Sequence, residues 1–573
     1  MLEKLMQDYF TSLTGGNKAA GPDVGGANKH LLELQADYYR KQTELWMSML
    51  GSRPGKEHAP VIEAEKGDRR FNAPEWNELP FFNYLKQSYL LNSRWLLDMV
   101  ETNLEKNPLD KRAKEKALFF TQQIIDSLSP SNFPATNPEV LKLALETKGA
   151  SVANGMKNFR ADMEKGRISM TDENAFEVGK NIAITPGAVV FQNDIMQLIQ
   201  YAPLTKQVHQ LPLLMVPPFI NKYYILDLQP ENSFVRHAVE QGQTVFMVSW
   251  RNIPPEQFGA DSVKLGKAAW DDYIEQGIFQ PIKAALKISG VDQLNALGFC
   301  VGGTLLASAL AVIRKQKKTS LTFPTFPVAS LTLLATFLDF SEVGKIEAYI
   351  DEDFVQKREI QYAQGGVVDG RKLASTFASL RANDLIWSYV VNNYLKGKQP
   401  EAFDLLYWNS DSTNLPGTLH AYYLRNMYLE NNLSVPNKLT LCNVPVDLGK
   451  INLPTFILAS KEDHIVPWKT AYANTRLLKG KLEFVLAASG HIAGVVNSAS
   501  KNKRNYWVNP ALAEDPEQWL AGAKSVPGSW WNNWSAWLKK KSGKQIPARK
   551  RLGNAAYPEI EAAPGSYVKV RYD

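Results

Sequence analysis

Gly298-Phe299-Cys300-Val301-Gly302, followed by Gly303, is the stretch of this chain best suited to covalent chemistry. It comes directly after an apolar run, DQLNALGF, and opens a second one, so it predicts a strand, a sharp turn and a helix. The spacing is that of the nucleophile elbow, G-x-S-x-G, with cysteine in the place of serine. The glycines have a mechanical reason. A strained turn pushes the nucleophile out above a sheet, and side chains beside it would collide with the neighbouring strand and helix. The backbone N–H of Val301 would then face an oxyanion formed beside Cys300, at a helix start that favours negative charge. The plainer alternative is a Gly-rich buried turn carrying an inert thiol.

A thiol nucleophile needs a base, and the base needs an orienting acid. Behind such an elbow the chain order is nucleophile, acid, histidine, with the last two just past later strands. The apolar run PTFILAS is followed by Lys461-Glu462-Asp463-His464, and the run LEFVLAA by Ser489-Gly490-His491. Asp463 is therefore expected as the acid and His491 as the base. His464 is the competitor, with a supporting place under the site as its other reading, and Glu462 competes with Asp463. His30, His58, His209, His237 and His420 have no such position. A second oxyanion donor is expected in Phe219-Ile220-Asn221, after the run LPLLMVPP, with Ile220 as the donor; an ordinary strand-to-helix turn is the alternative. The remaining cysteine, Cys442, has no Cys or His at metal-ligand spacing. Neither a metal site nor a disulfide framework is expected, and two cysteines suit a reducing cytosol.

The elements that must hold these residues can be read from composition and pattern. With 573 residues, 45% hydrophobic and 21% charged, the chain is of ordinary globular make-up, which excludes a disordered, collagen-like or disulfide-scaffold protein. A net charge of +7 is small for this length, and no basic stripe interleaves with aromatics, so nucleic acid is not expected as a partner. Residues 296–313 carry no charge and just reach membrane-span length. Their clustered glycines fit a buried strand, turn and helix better, so no membrane span is expected. The first residues mix charges without a cleavage-like site, so no secretory signal is expected either.

Up to residue 182 the pattern is mainly helical, with amphipathic spacing at Leu31, Leu34, Tyr38, Leu45, Trp46 and Met49 and helical runs over 81–103, 111–129 and 138–165. Residues 1–30 and 51–70 read as partly disordered. From 183 onward short apolar strands alternate with helices, beginning near 211, 243, 292, 328, 454 and 482. This predicts a parallel sheet covered on both faces. The alternation stops over about 340–450, where an aromatic insertion containing Trp387, Tyr389, Trp408, Tyr422 and Tyr423 suits a cap. These aromatics are equally compatible with packing inside the cap and with contacting substrate. The expected fold class is α/β: an α/β-hydrolase-like, mostly parallel sheet with a cap insertion, preceded by a mainly helical N-terminal domain. Trp530, Trp534 and Trp537 would share one helical face and pack onto their own domain. The seven Lys or Arg between Lys539 and Arg551 form a solvated surface or attract phosphates.

PPFINKYYILDLQPENS, TVFMVSWRN, GFCVGG, FDLLYWNSDSTN, KEDHIVPW and SGHIAGVVN together resemble the polyhydroxyalkanoate synthases, most closely the class I type. The resemblance runs from about Asp68-Arg69-Arg70-Phe71 to YVKVR and fades over 1–60. It implies a cytoplasmic acyltransferase that joins short-chain (R)-3-hydroxyacyl-CoA into polyester, stays with the growing chain on the granule surface and works as a homodimer. CoA is then part of the substrate and a product, and no further cofactor is implied. Motif by motif, Cys300 is the nucleophile, His491 the base and Asp463 the acid. A cysteine thiolate exchanges with a CoA thioester at little thermodynamic cost, which keeps the acyl group activated for an alcohol. Either His491 or Asp463 could take the proton of that alcohol. A thioesterase or polyester hydrolase of the same fold, and a non-catalytic granule-coating protein, are the other functions open to the sequence.

Overall fold

The computed structural model describes residues 24–51, 60–65, 67–106, 111–255, 259–315 and 323–572. Most of the disorder expected over 1–30 and 51–70 concerns residues 1–23, 52–59 and 66, outside the described residues. Residues 24–30, by contrast, belong to a helix. The chain divides into two compact units, Met1–Leu141 and Lys142–Asp573. The expected boundary at 182/183 falls inside the second unit, shortly before its first sheet strand at Gly187.

Among the described residues of the first unit the long helices are α1 (Val24–Gly51), α2 (Pro80–Lys106) and α3 (Lys111–Ser127). Helix α1 lies along α2, with the rings of Tyr38 and Trp95 stacked 4.8 Å apart and the Tyr38 hydroxyl donating to Asn92 at 2.7 Å. Leu45 is buried, whereas Trp46, counted in the same apolar stripe, is 50% exposed.

The helical stretch expected over 138–165, which begins just before the end of the first unit, is broken in two. Lys148 and Gly149 both have positive φ, 50° and 84°, a conformation that ends Pro138–Glu146 before α4 (Ala150–Lys165) begins. The sheet has eleven strands. In chain order they are β1 (Gly187–Gln192), β2 (Met196–Tyr201), β3 (Leu213–Val216), β4 (Val245–Trp250), β5 (Leu294–Phe299), β6 (Val328–Leu334), β7 (Thr455–Ser460), β8 (Leu482–Ala487), β9 (Asn505–Val508), β10 (Lys524–Pro527) and β11 (Glu561–Ala562). Across the sheet they run β10-β9-β8-β7-β6-β5-β3-β4-β2-β1-β11.

The middle six, from β8 to β4, are parallel, and they are the six read from the sequence. Both of their faces are covered, which is why they read as continuous apolar runs. Antiparallel strands flank them: β2, β1 and β11 on one side, β9 and β10 on the other. The helix after the Gly298–Gly303 turn, α5 (Val301–Lys315), follows β5 and is buried through twelve successive residues from Val301 to Val312. Residues 296–313 are thus a strand, a turn and a buried helix. Among the described residues no helix is long and apolar enough to cross a membrane.

Between β6 and β7 the chain leaves the sheet for a helical insertion with three π-helical turns, Asn383–Trp387, Val390–Leu395 and Leu424–Leu429. Near the end of the chain, α6 (Trp530–Lys539) buries Trp530, Trp531, Trp534 and Trp537. Trp530 and Trp537 lie 6.3 and 5.5 Å from the ring of Phe456 in β7, and Trp534 donates its N–H to Thr332 in β6 at 3.1 Å. That aromatic face is therefore part of the core of its own unit.

Candidate active site

Cys300 stands between the last residue of β5 and the first of α5, at φ +53°. A non-glycine residue in the left-handed region is strained, and a nucleophile elbow stores that strain in order to lift one side chain clear. Three glycines make the turn possible. A side chain at Gly298 would run into Gly303, one at Gly302 into the carbonyls of Val216 and Pro217, and one at Gly303 into Thr336. The Cys300 N–H donates to the carbonyl of Leu334 at the end of β6, 2.9 Å away, and the Cys300 carbonyl receives Gly303 N–H at 2.9 Å as the helix starts. The backbone of the nucleophile is therefore fixed to a strand on one side and a helix on the other. Cys300 itself is only partly buried. Val301, in the first turn of α5, has an N–H with no acceptor inside the helix.

Asp463 and His491 come from the loops after β7 and β8. The loops are joined by two backbone bonds, Lys461 N–H to the Ala487 carbonyl at 2.8 Å and Glu462 N–H to the Ser489 carbonyl at 3.0 Å. Oδ1 of Asp463 accepts the N–H groups of Ile465 and Val466, both at 2.8 Å. Oδ2 takes Nδ1 of His491 at 2.7 Å. The side chains of His491 and Asp463 are 5% and 0% exposed. With Nδ1 committed to Asp463, Nε2 is the nitrogen left for Cys300, which lies close enough to act electrostatically on the same imidazole. Burial alone would lower the affinity of His491 for its proton. Attraction to Asp463 and Cys300, with the hydrogen bond to Asp463, outweighs burial and raises the imidazole to about 10. The ring of Phe299 stacks over His491 at 5.6 Å, and Gly494 leaves room that a side chain would take from Ser460. Asp463 and His491 thus form one hydrogen-bonded pair, with Cys300 among the groups that act on its imidazole.

His464 is half-buried beside it, without a partner for its own Nδ1. Burial pushes its imidazole down to about 4; Asp463 pulls the other way, while His491 and the more distant Arg381 and Lys345 oppose protonation. His464 is a neutral neighbour of the acid and base. Glu462 is exposed. Of the other described histidines, His237 bonds Ser535 at 2.9 Å and His420 is buried and pushed down to about 4. His58 lies outside the described residues.

The loop after β3 holds Phe219 fully buried among rings, 6.2 Å from Trp250, 6.0 Å from Trp270 and 5.3 Å from Tyr273. It also approaches Tyr423 of the insertion, at 6.4 Å. Ile220 follows it, partly buried, and Asn221 forms an antiparallel bridge with Ser412. The insertion therefore touches the loop expected to carry an oxyanion donor. Tyr423 and Tyr428, with ring centroids 5.1 Å apart, are both buried and both interact electrostatically with Cys300. Burial, then the neighbouring charge, raises both phenols, so each stays a neutral hydroxyl.

Tyr428 is a residue the sequence reading missed. It lies five residues beyond Tyr423, across a π-helical turn, so a 3.6-residue period does not bring the two to one face. Trp408 is buried and donates to the Lys222 carbonyl at 2.7 Å, Tyr422 stacks on Trp270 at 6.0 Å, and Trp387 and Tyr389 are half-buried. Among the described residues no cluster of three or more His, Cys, Asp or Glu could hold a metal ion.

Residues 67–238 match the family described as poly-beta-hydroxybutyrate polymerase (PhaC) N-terminus, and residues 212–498 match the alpha/beta hydrolase fold. Over 566 residues the chain is 48% identical to the poly(3-hydroxyalkanoate) polymerase subunit PhaC of Cupriavidus necator, covering 98% of this chain and 92% of that protein. It is 40% identical over 547 residues to the poly(3-hydroxyalkanoate) polymerase subunit PhaC of Rhizobium meliloti, covering 95% of this chain and 86% of that one. Among solved structures, the monoacylglycerol lipase of Paleococcus ferrophilus matches at 13% identity, over 61% of this chain and 99% of the other, with a TM-score of 0.33.

Proposed function

The chain belongs to the poly(3-hydroxyalkanoate) polymerase family, and from that premise we propose that it polymerises short-chain (R)-3-hydroxyacyl-CoA through a thioester on Cys300. The observation that carries the reading is the bond from His491 to the doubly anchored Asp463, with Cys300 on a strained turn close enough to act on the same imidazole. His491, raised to about 10, already holds on Nε2 the proton given up by the Cys300 thiol, and the thiolate attacks the acyl carbonyl. The N–H groups of Val301 and Ile220 receive the oxyanion. Coenzyme A leaves as its thiol with the proton from His491, and the acyl group remains on sulfur. A 3-hydroxyl then loses its proton, attacks this thioester and releases the Cys300 thiolate as the ester forms.

His491 performs the second proton transfer as well. Both oxygens of Asp463 are occupied and its side chain is 0% exposed, which leaves it no face for a substrate hydroxyl. Water is the rival of the alcohol, and the buried rings of Phe219, Tyr423 and Tyr428 form a dry wall beside the sulfur. No cofactor takes part. The enzyme acts as a homodimer in the cytoplasm, on the surface of the polyester it makes.

Incubation with 3-hydroxybutyryl-CoA tests the chemistry. CoA release matched by insoluble polyester is expected. Release matched by free hydroxy acid would make the protein a thioesterase, and no release at all would make it a coat protein.

A further inference from the structure

Lys222 has no part in the chemistry above, yet it is one of the most deeply buried charges in its unit. Its side chain is 3% exposed, and Nζ lies 2.8 Å from Oδ1 of Asp411, whose side chain is 2% exposed. The same Nζ donates to the carbonyl of Val570 at 2.8 Å. Asp411 also accepts from the Tyr224 hydroxyl at 2.9 Å, and Nε of Arg571 comes within 3.5 Å of it. Asn252 adds a second bond to the Val570 carbonyl at 3.2 Å and accepts Asn414 N–H at 2.9 Å. Three distant parts of the chain therefore meet at one carboxylate: the loop after β3, the end of the insertion helix Asp404–Ser410, and the segment around Tyr567–Arg571.

As packing material a lysine is a poor choice here. A desolvated ammonium is tolerated only because a carboxylate and a carbonyl satisfy it, and apolar side chains would fill the same space at least as stably. A buried pair of charges adds register: only one placing of the two backbones satisfies both groups. Lys222 is two residues from Ile220, and an oxyanion donor displaced by about 1 Å loses on the order of 100-fold in rate. We propose that Lys222 and Asp411 are positioning residues, a clamp that sets where the Ile220 N–H stands relative to the acyl carbonyl. Arg571 and the carbonyl of Val570 complete the clamp. The inference rests on the acyl-transfer reading above and adds to it a device tying the oxyanion loop to the insertion and to the Tyr567–Arg571 segment.

The test compares Lys222→Met, the double variant Lys222→Met/Asp411→Leu and Arg571→Gln. CoA release, alkylation of Cys300 by iodoacetamide and thermal unfolding are followed for each. Alkylation needs the thiolate and His491 but no oxyanion donor, so it separates the loop from the rest of the site. Lys222→Met should lower kcat about 10- to 100-fold, with KM and the alkylation rate within about threefold of wild type. The double variant removes the unpaired buried charge, so its thermal stability should recover while turnover stays low. Recovery of both together would show a purely structural pair and overturn the proposal, as would alkylation falling in step with kcat.

If Lys222→Met does not fold, the half-exposed edge of the clamp decides. Arg571→Gln should lose about threefold or more in kcat at constant KM, and full activity there would overturn the proposal. Failure of the underlying acyl-transfer reading would show separately, as CoA release by Cys300→Ala.

Discussion

The elbow at Cys300 and the hairpin at Cys442 put the same residue type in the same backbone conformation, with opposite chemical results. Their φ angles are 53° and 48°. Cys442 and Asn443, at φ 61°, form the two-residue turn between Thr440–Leu441 and Val444–Pro445, where the twist of the strands asks for that handedness. The Cys442 sulfur lies 3.9 Å from the carbonyl of Asp271. Burial, then the charges of Asp271, Glu275 and Asp272, pushes this thiol far up. Cys300 has an imidazole raised to about 10 as its neighbour instead. A left-handed turn supplies exposure of a side chain at most; the sign of the nearest charge makes a sulfur reactive or inert.

The comparison breaks most visibly at the nucleophile. Cys300→Ala should remain folded and lose about four orders of magnitude or more in CoA release, while Cys442→Ala stays within about twofold of wild type. Equal losses in the two would mean that the elbow has no special standing. Next in size is the base. His491→Gln should abolish both turnover and alkylation of Cys300 at neutral pH, whereas His464→Gln should slow turnover only a few-fold, on the order of surface changes near a site. The reverse pattern would exchange their assignments.

Stability against pH sharpens the contrast further. His491, raised from 6.5 to about 10, contributes stability that is complete below pH 6.5 and is lost as pH rises through about 10. His464 and His420, lowered from 6.5 to about 4, act in the other direction. Their unfolded forms bind protons first, so stability falls as pH drops from 6.5 toward 4. Thermal midpoints across pH should therefore lose their alkaline slope in Asp463→Asn and part of their acid slope in His464→Gln. The smallest effect belongs to Cys442. Asp271→Asn removes one of the charges that hold its proton and should speed alkylation of Cys442 by a few-fold at most.

The six central strands and the three loops carrying Cys300, Asp463 and His491 were legible in the sequence because full burial on both faces leaves an unmistakable apolar run. The flanking strands were not. Met196–Tyr201 is buried throughout but includes two glutamines, and Gln197 is satisfied by partners distant in sequence, Glu561, Ser566 and the Tyr567 N–H, together with Gln192. Asn505–Val508 and Lys524–Pro527 are short and partly exposed, and owe their conformation to each other. Glu561–Ala562 is two residues held by β1. The break at Lys148 was invisible because lysine carries no sign of a left-handed turn, although Gly149 after it does. Tyr428 and Lys222 went unnoticed for a related reason: each depends on a partner brought close by folding.

The two backbone bonds that join the loops of β7 and β8 have a consequence for a reaction repeated many times on one chain. They continue the hydrogen-bonding of the sheet by one step beyond its strands, so the spacing between Asp463 and His491 is as stiff as the pairing of Ala459 with Leu486 or Ser460 with Ala487. Polymer growth must admit a monomer, expel a thiol and shift an ester chain in every cycle. In the proposed cycle the two bonds keep the spacing of Asp463 and His491 the same at every link, so a long product needs no rebuilding of that pair between additions.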